Sequence, residues 1–334
     1  MVIVQSYPLA VFMCVVTMLC WGSWANTQKL ASKEWRFQLF YWDYSIGVFL
    51  FAAALALTMG SFGSSGRSFL PDLRQAGSSA LLSAALGGIV FNFANILLVA
   101  AIDIAGMAVA FPVGIGLALV IGVITNYLAT PLGNPALLFS GVLFIVLAII
   151  IDAMIYSKLP AAGKKSTVKG LVLSVLAGVS MGFFYRFVAA SMVADPANPE
   201  PGKLTAYTAV FIFSAGLFLS NFLWNSIVMA RPFSGPSVSY RDYFTKGNAR
   251  LHCIGILGGM IWSLGMSFNI IAASAAGFAI SYGLGQGATM IASVWGVFIW
   301  KEFRDAPPGT NRSVALMFLL FIAGLGMIIA ARMV

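Results

Sequence analysis

Charge is scarce in this chain. Asp, Glu, Lys and Arg make up 9 % of its 334 residues, where a soluble domain carries roughly 25 %. That is too little to cover a water-exposed surface, so a soluble fold is excluded. Histidine occurs once, as His252, which excludes a His-pair metal centre or proton relay. The three cysteines, Cys14, Cys20 and Cys253, lie in or beside apolar runs. They have neither metal-ligand spacing nor the look of a disulfide framework. There is no Gly-x-x-x-x-Gly-Lys loop and no soluble segment to hold one, which argues against a nucleotide-driven pump. No Gly-x-Ser-x-Gly or other reactive constellation is present, so an enzyme is not expected. No cofactor or metal is implied.

Hydrophobic residues, by contrast, make up 60 % of the chain. A helix needs roughly 20 apolar residues to cross the bilayer core. Ten runs reach that length: 8–28, 38–59, 78–101, 104–128, 136–156, 170–192, 205–230, 252–272, 275–300 and 314–332. The first begins near Pro8 with no basic residue before it and no small-residue cleavage site after it, so it reads as an uncleaved span. The net charge of +9 comes from cations scattered over short loops. In a membrane protein that pattern encodes topology, not nucleic-acid binding. Fourteen of the nineteen Lys and Arg residues fall on one side of a ten-span chain, four on the other, and Arg186 inside span 6. The bias places both termini outside the cytoplasm of a plasma (inner) membrane.

The two halves echo each other. LGG at 86–88 recurs at 257–259, and AGMAVAFPVGIG (105–116) recurs as AGFAISYGLGQG (276–287), both at an ungapped offset of 171. More weakly, WGSW (21–24) resembles MGFF (181–184). The unit is five spans long, so its second copy must insert upside down. Inverted repeats mark secondary transporters, whose substrate site lies near the midplane between the halves. The expected organisation is an all-α integral membrane protein of ten transmembrane helices. Residues 1–156 form the first repeat, 157–169 a short cytoplasmic connector and 170–334 the second repeat. Pro112 in span 4 and its counterpart Gly283 in span 9 mark expected flexible points.

Polar side chains inside a membrane are costly unless they face a partner or a cavity. Those here are mostly carboxamides, hydroxyls and aromatic faces: Trp21, Trp24 and Asn26 in span 1; Asn92 and Asn95 in span 3; Tyr185 and Arg186 in span 6. Tyr207 in span 7, Trp262 and Asn269 in span 8, and Tyr282 and Gln286 in span 9 complete the candidate substrate-binding set. Such groups suit a small neutral polar solute, since rings give flat apolar contact and carboxamides give paired donors and acceptors. The same residue types also serve as helix–helix glue, and both readings stand for each Asn. Trp42 and Trp300, near span ends, read as interface belt, and His252 as an interface residue. Asp43 and Tyr44, in FYWDYSIGVFL (40–50), are the candidate proton-coupling or gating pair. Pairing of Asp43 with Arg186 is not expected: the topology sets them on the order of 15 Å apart along the membrane normal, at about 1.5 Å rise per residue.

Two longer stretches, WGSWANTQKL (21–30) and FYWDYSIGVFLFAA (40–53), resemble the opening spans of the ureide permease family, with its Tyr-x-Asp-Tyr-Ser core at Tyr41, Asp43, Tyr44 and Ser45. LTAYTAVFIFS (204–214) resembles that family's seventh span. MIASVWGVFIWKEFR (290–304) resembles its ninth span and the segment after it, at Glu302 and Arg304. From span 8 onward the chain is also similar to glucose/ribose porters and rhamnose–proton symporters. All belong to the drug/metabolite transporter superfamily, so the resemblance implies ten helices in two inverted five-helix halves. The connector 157–169 is short where plant ureide permeases carry a long central loop, and this favours a bacterial-type permease. The expected function is proton-coupled import of a small solute by alternating access, with a sugar such as ribose or glucose first. A ureide such as allantoin, a nucleobase or a nucleoside is the alternative, then drug or metabolite export. A non-transporting receptor or membrane enzyme is the reading from another class. The partners implied are the solute, a proton or other cation and the lipid bilayer. The sequence is silent on oligomeric state.

Overall fold

The computed structural model describes residues 1–31, 34–105, 110–158, 168–302, 304 and 306–334. Most of the 157–169 connector, Gly106 of the repeat, the start of span 4, Phe303 and Asp305 lie outside the described residues, as do Lys33, Lys164 and Lys165. Among the described residues nine helices are long and apolar enough to cross a membrane. Keeping the sequence numbering, they are span 1 (Tyr7–Ala31), span 2 (Phe37–Leu57), span 4 (Pro112–Ala129), span 5 (Pro135–Ser157), span 6 (Val168–Ser191), span 7 (Ala206–Ala230), span 8 (Ala249–Ala276) and span 10 (Thr310–Ala330), with span 3 at Ser78–Ala105. The ninth apolar run is helical but interrupted. It consists of Phe278–Gly285, Ala288–Val294 and a π-helical turn at Trp295–Ile299.

Local chemistry explains several boundaries. Asn134 caps span 5, its Oδ1 accepting from the backbone N–H of Ala136 at 2.9 Å and Leu137 at 3.3 Å. Pro135 follows at the first position, where its missing N–H costs nothing. Asn248 caps span 8 by accepting from Leu251 N–H at 3.0 Å. Span 8 ends at Gly277, whose φ of 90° lies where a side chain is strained. The chain turns there directly into Phe278. The expected flexible point of span 9 is corrected in position: it falls at Gln286–Gly287, not at Gly283, which sits within the Phe278–Gly285 helix. In span 4 the irregularity is where Pro112 is, in a π-helical stretch at Phe111–Ile115. Proline removes a helix hydrogen bond and favours such a distortion.

Packing follows an ordered plan. Span 3 lies against spans 6 and 7, span 8 against spans 1 and 2, span 5 against span 10, and span 2 against span 7. Two approaches are closest. A methyl group added at Gly88 of span 3 would overlap the Phe213 carbonyl oxygen of span 7, and one at Gly259 of span 8 would overlap the Tyr44 carbonyl oxygen of span 2. Small residues permit this approach where lipid supplies no hydrophobic drive. Both chain ends lie at one end of the bundle. The Met1 ammonium donates to the Ser65 carbonyl at 2.9 Å and Tyr7 Oη to the Ile329 carbonyl at 2.6 Å. Asp72, of the short helix Phe69–Gln75, is wholly buried at this end. It pairs with Arg67 at 2.7 Å and accepts from Thr205 N–H at 2.8 Å.

Overpacking costs about 1–3 kcal/mol. Gly259→Val is therefore expected to lower the thermal midpoint of detergent-purified protein and its folded yield. Gly326→Val, at a glycine with open space around it, should leave both unchanged. Size-exclusion chromatography with thermal challenge reads the difference.

Candidate solute cavity and the contacts that close it

A cavity of about 210 Å³ lies between spans 1, 3, 4, 6, 8 and the broken span 9. Its aromatic wall is Trp21, Trp24, Phe91, Phe184 and Trp262. Trp21 and Trp262 are stacked, with ring centroids 5.9 Å apart and planes 13° apart, and Phe91 sits 4.5 Å from Trp262. The Trp21 indole is held by donating to the Trp262 carbonyl at 3.2 Å. Its polar groups are Gln28, Asn95, Gln286 and Thr289. Asn95 Nδ2 donates to the Tyr41 hydroxyl at 3.0 Å, which leaves the amide oxygen as an acceptor.

The cavity adjoins a second space of about 370 Å³, with Gln28, Val99 and Ile102 lining both. This vestibule is bounded by Arg36, Gln38, Phe233 and Ser234 and lies at the Lys/Arg-rich end. Among the described lining residues neither space contains a carboxylate. Toward the other end the bundle is closed by Tyr185, Asn269, Ser281 and Tyr282, all buried. Asn269 Nδ2 donates to the Ser281 carbonyl at 2.8 Å, and Ser281 Oγ to the Asn269 carbonyl at 2.6 Å. Tyr282 Oη donates to the Ala118 carbonyl at 3.1 Å. The conformation is thus open to the Lys/Arg-rich side.

Asp43 lines neither space. Its carboxylate is 1 % exposed and accepts from Trp35 Nε1 at 3.2 Å and from the Tyr243 hydroxyl, with His252 Nδ1 at 2.9 Å. His252 therefore does not face the interface as expected. It ties the first turn of span 8 to span 2, and Tyr243 ties in the short helix Tyr240–Lys246. Burial and then the facing carboxylate push the Tyr243 phenol above its usual range, which keeps it a donor. Trp42, expected in the interface belt, is also buried and donates to Met229 Sδ at 3.2 Å. A second set of contacts joins spans 1, 5 and 9 at their Lys/Arg-rich ends. Glu302 binds Lys29 at 2.7 Å and accepts from Tyr156 Oη at 2.8 Å, while Trp300 Nε1 donates to Asn26 Oδ1 at 2.7 Å.

The structure thus brings Trp21, Trp24, Asn95, Trp262 and Gln286 to one cavity, and places Tyr185, Asn269 and Tyr282 in its closed end. Other candidates go elsewhere. Asn92 donates to the Leu217 carbonyl at 3.2 Å and to Ser220 Oγ at 2.9 Å, bridging spans 3 and 7. Tyr207 donates to the Val2 carbonyl at 2.9 Å at the termini end. Asn26 belongs to the Trp300 contact, Tyr44 is fully buried against Trp24 and Tyr41, and Arg186 is half-buried away from both spaces. Sequence reasoning passed over Gln28, because it sits at the polar end of its span, and Asp152, a single acid in LAIIIDAMIY (147–156).

A bundle of apolar helices around an aromatic cavity with a few polar groups and, among the described lining residues, no carboxylate, open at one end and sealed at the other, is the architecture of a membrane transporter. The comparisons agree. The Ureide permease family profile matches residues 40–165 and 161–331, and the chain belongs to that family. It is 23 % identical to Ureide permease 1 of Arabidopsis thaliana, over 99 % of both chains. It is likewise 23 % identical to Ureide permease 5 of the same plant, over 98 % of this chain and 95 % of the relative. A crystal structure aligns with 97 % of this chain and 98 % of its own at a TM-score of 0.59 and 17 % identity, a likeness of fold.

Removing one partner of a buried hydrogen-bonded charge leaves the other unsatisfied, at about 1–3 kcal/mol. His252→Ala should destabilise the protein by that order and speed amide exchange in residues 240–246 several-fold, with little change at 69–75. Hydrogen-exchange mass spectrometry checks both segments.

Proposed function

We propose that the chain imports a small, neutral, planar solute rich in amide groups, a ureide such as allantoin or a nucleobase, by alternating access. The observation that carries this reading is the pairing of a stacked indole wall at Trp21 and Trp262 with the carboxamides of Gln28, Asn95 and Gln286. A flat heterocyclic amide fits both, since its ring meets the indole face and its N–H and C=O edges meet donors and acceptors. The absence of a carboxylate among the described lining residues speaks against a lipophilic cation. Family membership moves the ureide alternative ahead of the sugar that the sequence put first, as the plant relatives are named for ureides.

The proposed cycle rests on two inverted five-helix halves. Exchanged partners support it. Span 3 meets spans 6 and 7 as span 8 meets spans 1 and 2, and Gly88 and Gly259, one repeat apart, make the same backbone approach. Rocking one set of pairs against the other would open the Tyr185–Tyr282 end and close the vestibule. Asp43 takes the gating half of its expected role, holding the Tyr240–Lys246 helix against span 8. Proton coupling remains part of the proposal. The cation bias puts the vestibule on the cytoplasmic side of the inner membrane and both termini outside.

Counterflow in proteoliposomes tests the solute. Preloaded allantoin or uracil should drive uptake of its labelled form, and ribose and glucose should not. Sugar counterflow without ureide counterflow would overturn the reading. Asn95→Leu removes a cavity acceptor and should raise the half-saturating allantoin concentration about 10-fold, as expected for one lost buried hydrogen bond.

A further inference from the structure

Among the described side chains, two acids lie within the spans, Asp43 and Asp152, and they are solvated in opposite ways. Asp43 accepts from Trp35 and Tyr243 and faces His252, as an ionised carboxylate requires. Asp152, in the inner third of span 5, is 7 % exposed, and its Oδ1 is buried with no hydrogen-bond partner. Ser293 of span 9 stands within hydrogen-bonding reach of this carboxyl. Ser293 already spends its one hydrogen on the Thr289 carbonyl, at 3.0 Å. If the carboxyl were ionised, its Oδ1 would therefore lack a donor in a medium where an uncompensated charge costs several kcal/mol or more. A neutral carboxylic acid fits instead, its O–H donating to Ser293 Oγ. The remaining titratable groups around it are few. Tyr156, one turn along span 5, donates to Glu302, and Glu302 is held by Lys29 of span 1. Spans 4 and 10 also pack on span 5. Their described residues bring Tyr127, against Phe139 toward the opposite end, and Arg312, exposed in the first turn of span 10.

We propose that Asp152 is a proton-binding site, distinct from the solute cavity and from Asp43, which carries the coupling proton of the transport cycle. The site is wired to the cavity by one turn of span 9. Thr289 lines the cavity, and its carbonyl accepts from Ser293, the residue beside Asp152. That turn stands between two irregularities, the Gln286–Gly287 break and the π-helical Trp295–Ile299 stretch, so solute at Thr289 and Gln286 pins it as a short unit, and departure of the solute toward the Lys/Arg-rich side lets it shift. Shifting it removes Ser293 from Asp152 and admits water. The carboxyl O–H then breaks, its electron pair stays on the carboxylate, and the proton passes to water at the Lys/Arg-rich face past Glu302. Reprotonation from water on the opposite side, after the bundle rocks open there, restores the neutral acid and completes the transfer of one proton. The coupling role rests on the proposed transport function, but the protonation state of Asp152 does not.

Infrared spectroscopy of the full chain in lipid at neutral pH reads the site without any solute. Wild type should show the carbonyl stretch of a neutral carboxylic acid. The band should vanish in Asp152→Asn, persist in Asp43→Asn, and move but remain in Asp152→Glu, which guards against loss of fold. A wild type lacking the band, or an unchanged band in Asp152→Asn, overturns the proposal. In vesicles, Asp152→Asn should keep allantoin counterflow but lose about 5-fold or more of its accumulation under a pH gradient, the order of a typical coupling between sites. Wild-type accumulation in that variant also overturns the coupling role. A chain that moves no allantoin yet shows the Asp152-dependent band overturns the solute assignment and supports the proton site.

Discussion

The close approach of spans 2 and 8 is the contact on which the working parts depend. Gly259 seats against the Tyr44 carbonyl and Gly47 against the Ile256 carbonyl, so the two backbones meet without side chains between them. This fixes everything one turn away. Toward the Lys/Arg-rich end it sets His252 on Asp43. In the other direction it sets Trp262 against Trp21 and Phe91, the wall of the cavity. Spans 3 and 7 meet in the same manner at Gly88, which leaves the other side of span 3, with Asn95, facing the same space. In lipid such contacts rest on packing and hydrogen bonding, because burial away from water is already complete.

Within that frame, polar groups divide by whether the bundle satisfies them. Asn225 donates to the Gln38 carbonyl at 2.8 Å and Asn221 to Ser45 Oγ at 3.0 Å, joining span 7 to span 2. Asp72 and Asp43 collect several donors each. These are fixtures. Even so, Asn92, Asn221 and Asn225 each leave a buried amide oxygen without a partner, so it is position that marks the groups left for chemistry: the carboxamides that face the cavity and Asp152, a carboxyl in that unpartnered set. An intramembrane polar group is costly wherever it stands, and those that face a space or can exchange a proton are the ones that a solute or water can serve.

Much of this was legible in the residues. Long apolar runs predicted the spans because lipid admits helices whose backbone bonds are internal. The ungapped glycine register picked out Gly88 and Gly259, both of which prove to be points of closest backbone approach. The aromatic and amide palette led to Trp21, Trp262, Asn95 and Gln286. What the residues did not show was direction. Asn92 and Asn95 are three residues apart, about 60° around a helix, and that rotation is enough to turn Asn92 to span 7 and Asn95 to the cavity. The His252–Asp43 contact spans 209 residues and has no local signature. The interruption of span 9 was anticipated from its glycines but displaced by three residues, since the helix runs through Gly283 to Gly285 and parts at Gln286–Gly287.

The central claim is that a flat amide-bearing solute sits against the Trp262 indole and within reach of Asn95. A structure determined with allantoin bound tests it most directly. The account predicts density in the cavity between spans 1, 3, 8 and 9, its ring face on Trp262 and a polar edge toward Asn95 and Gln286. Density confined to the vestibule beside Arg36, or an empty cavity at saturating allantoin, would contradict it.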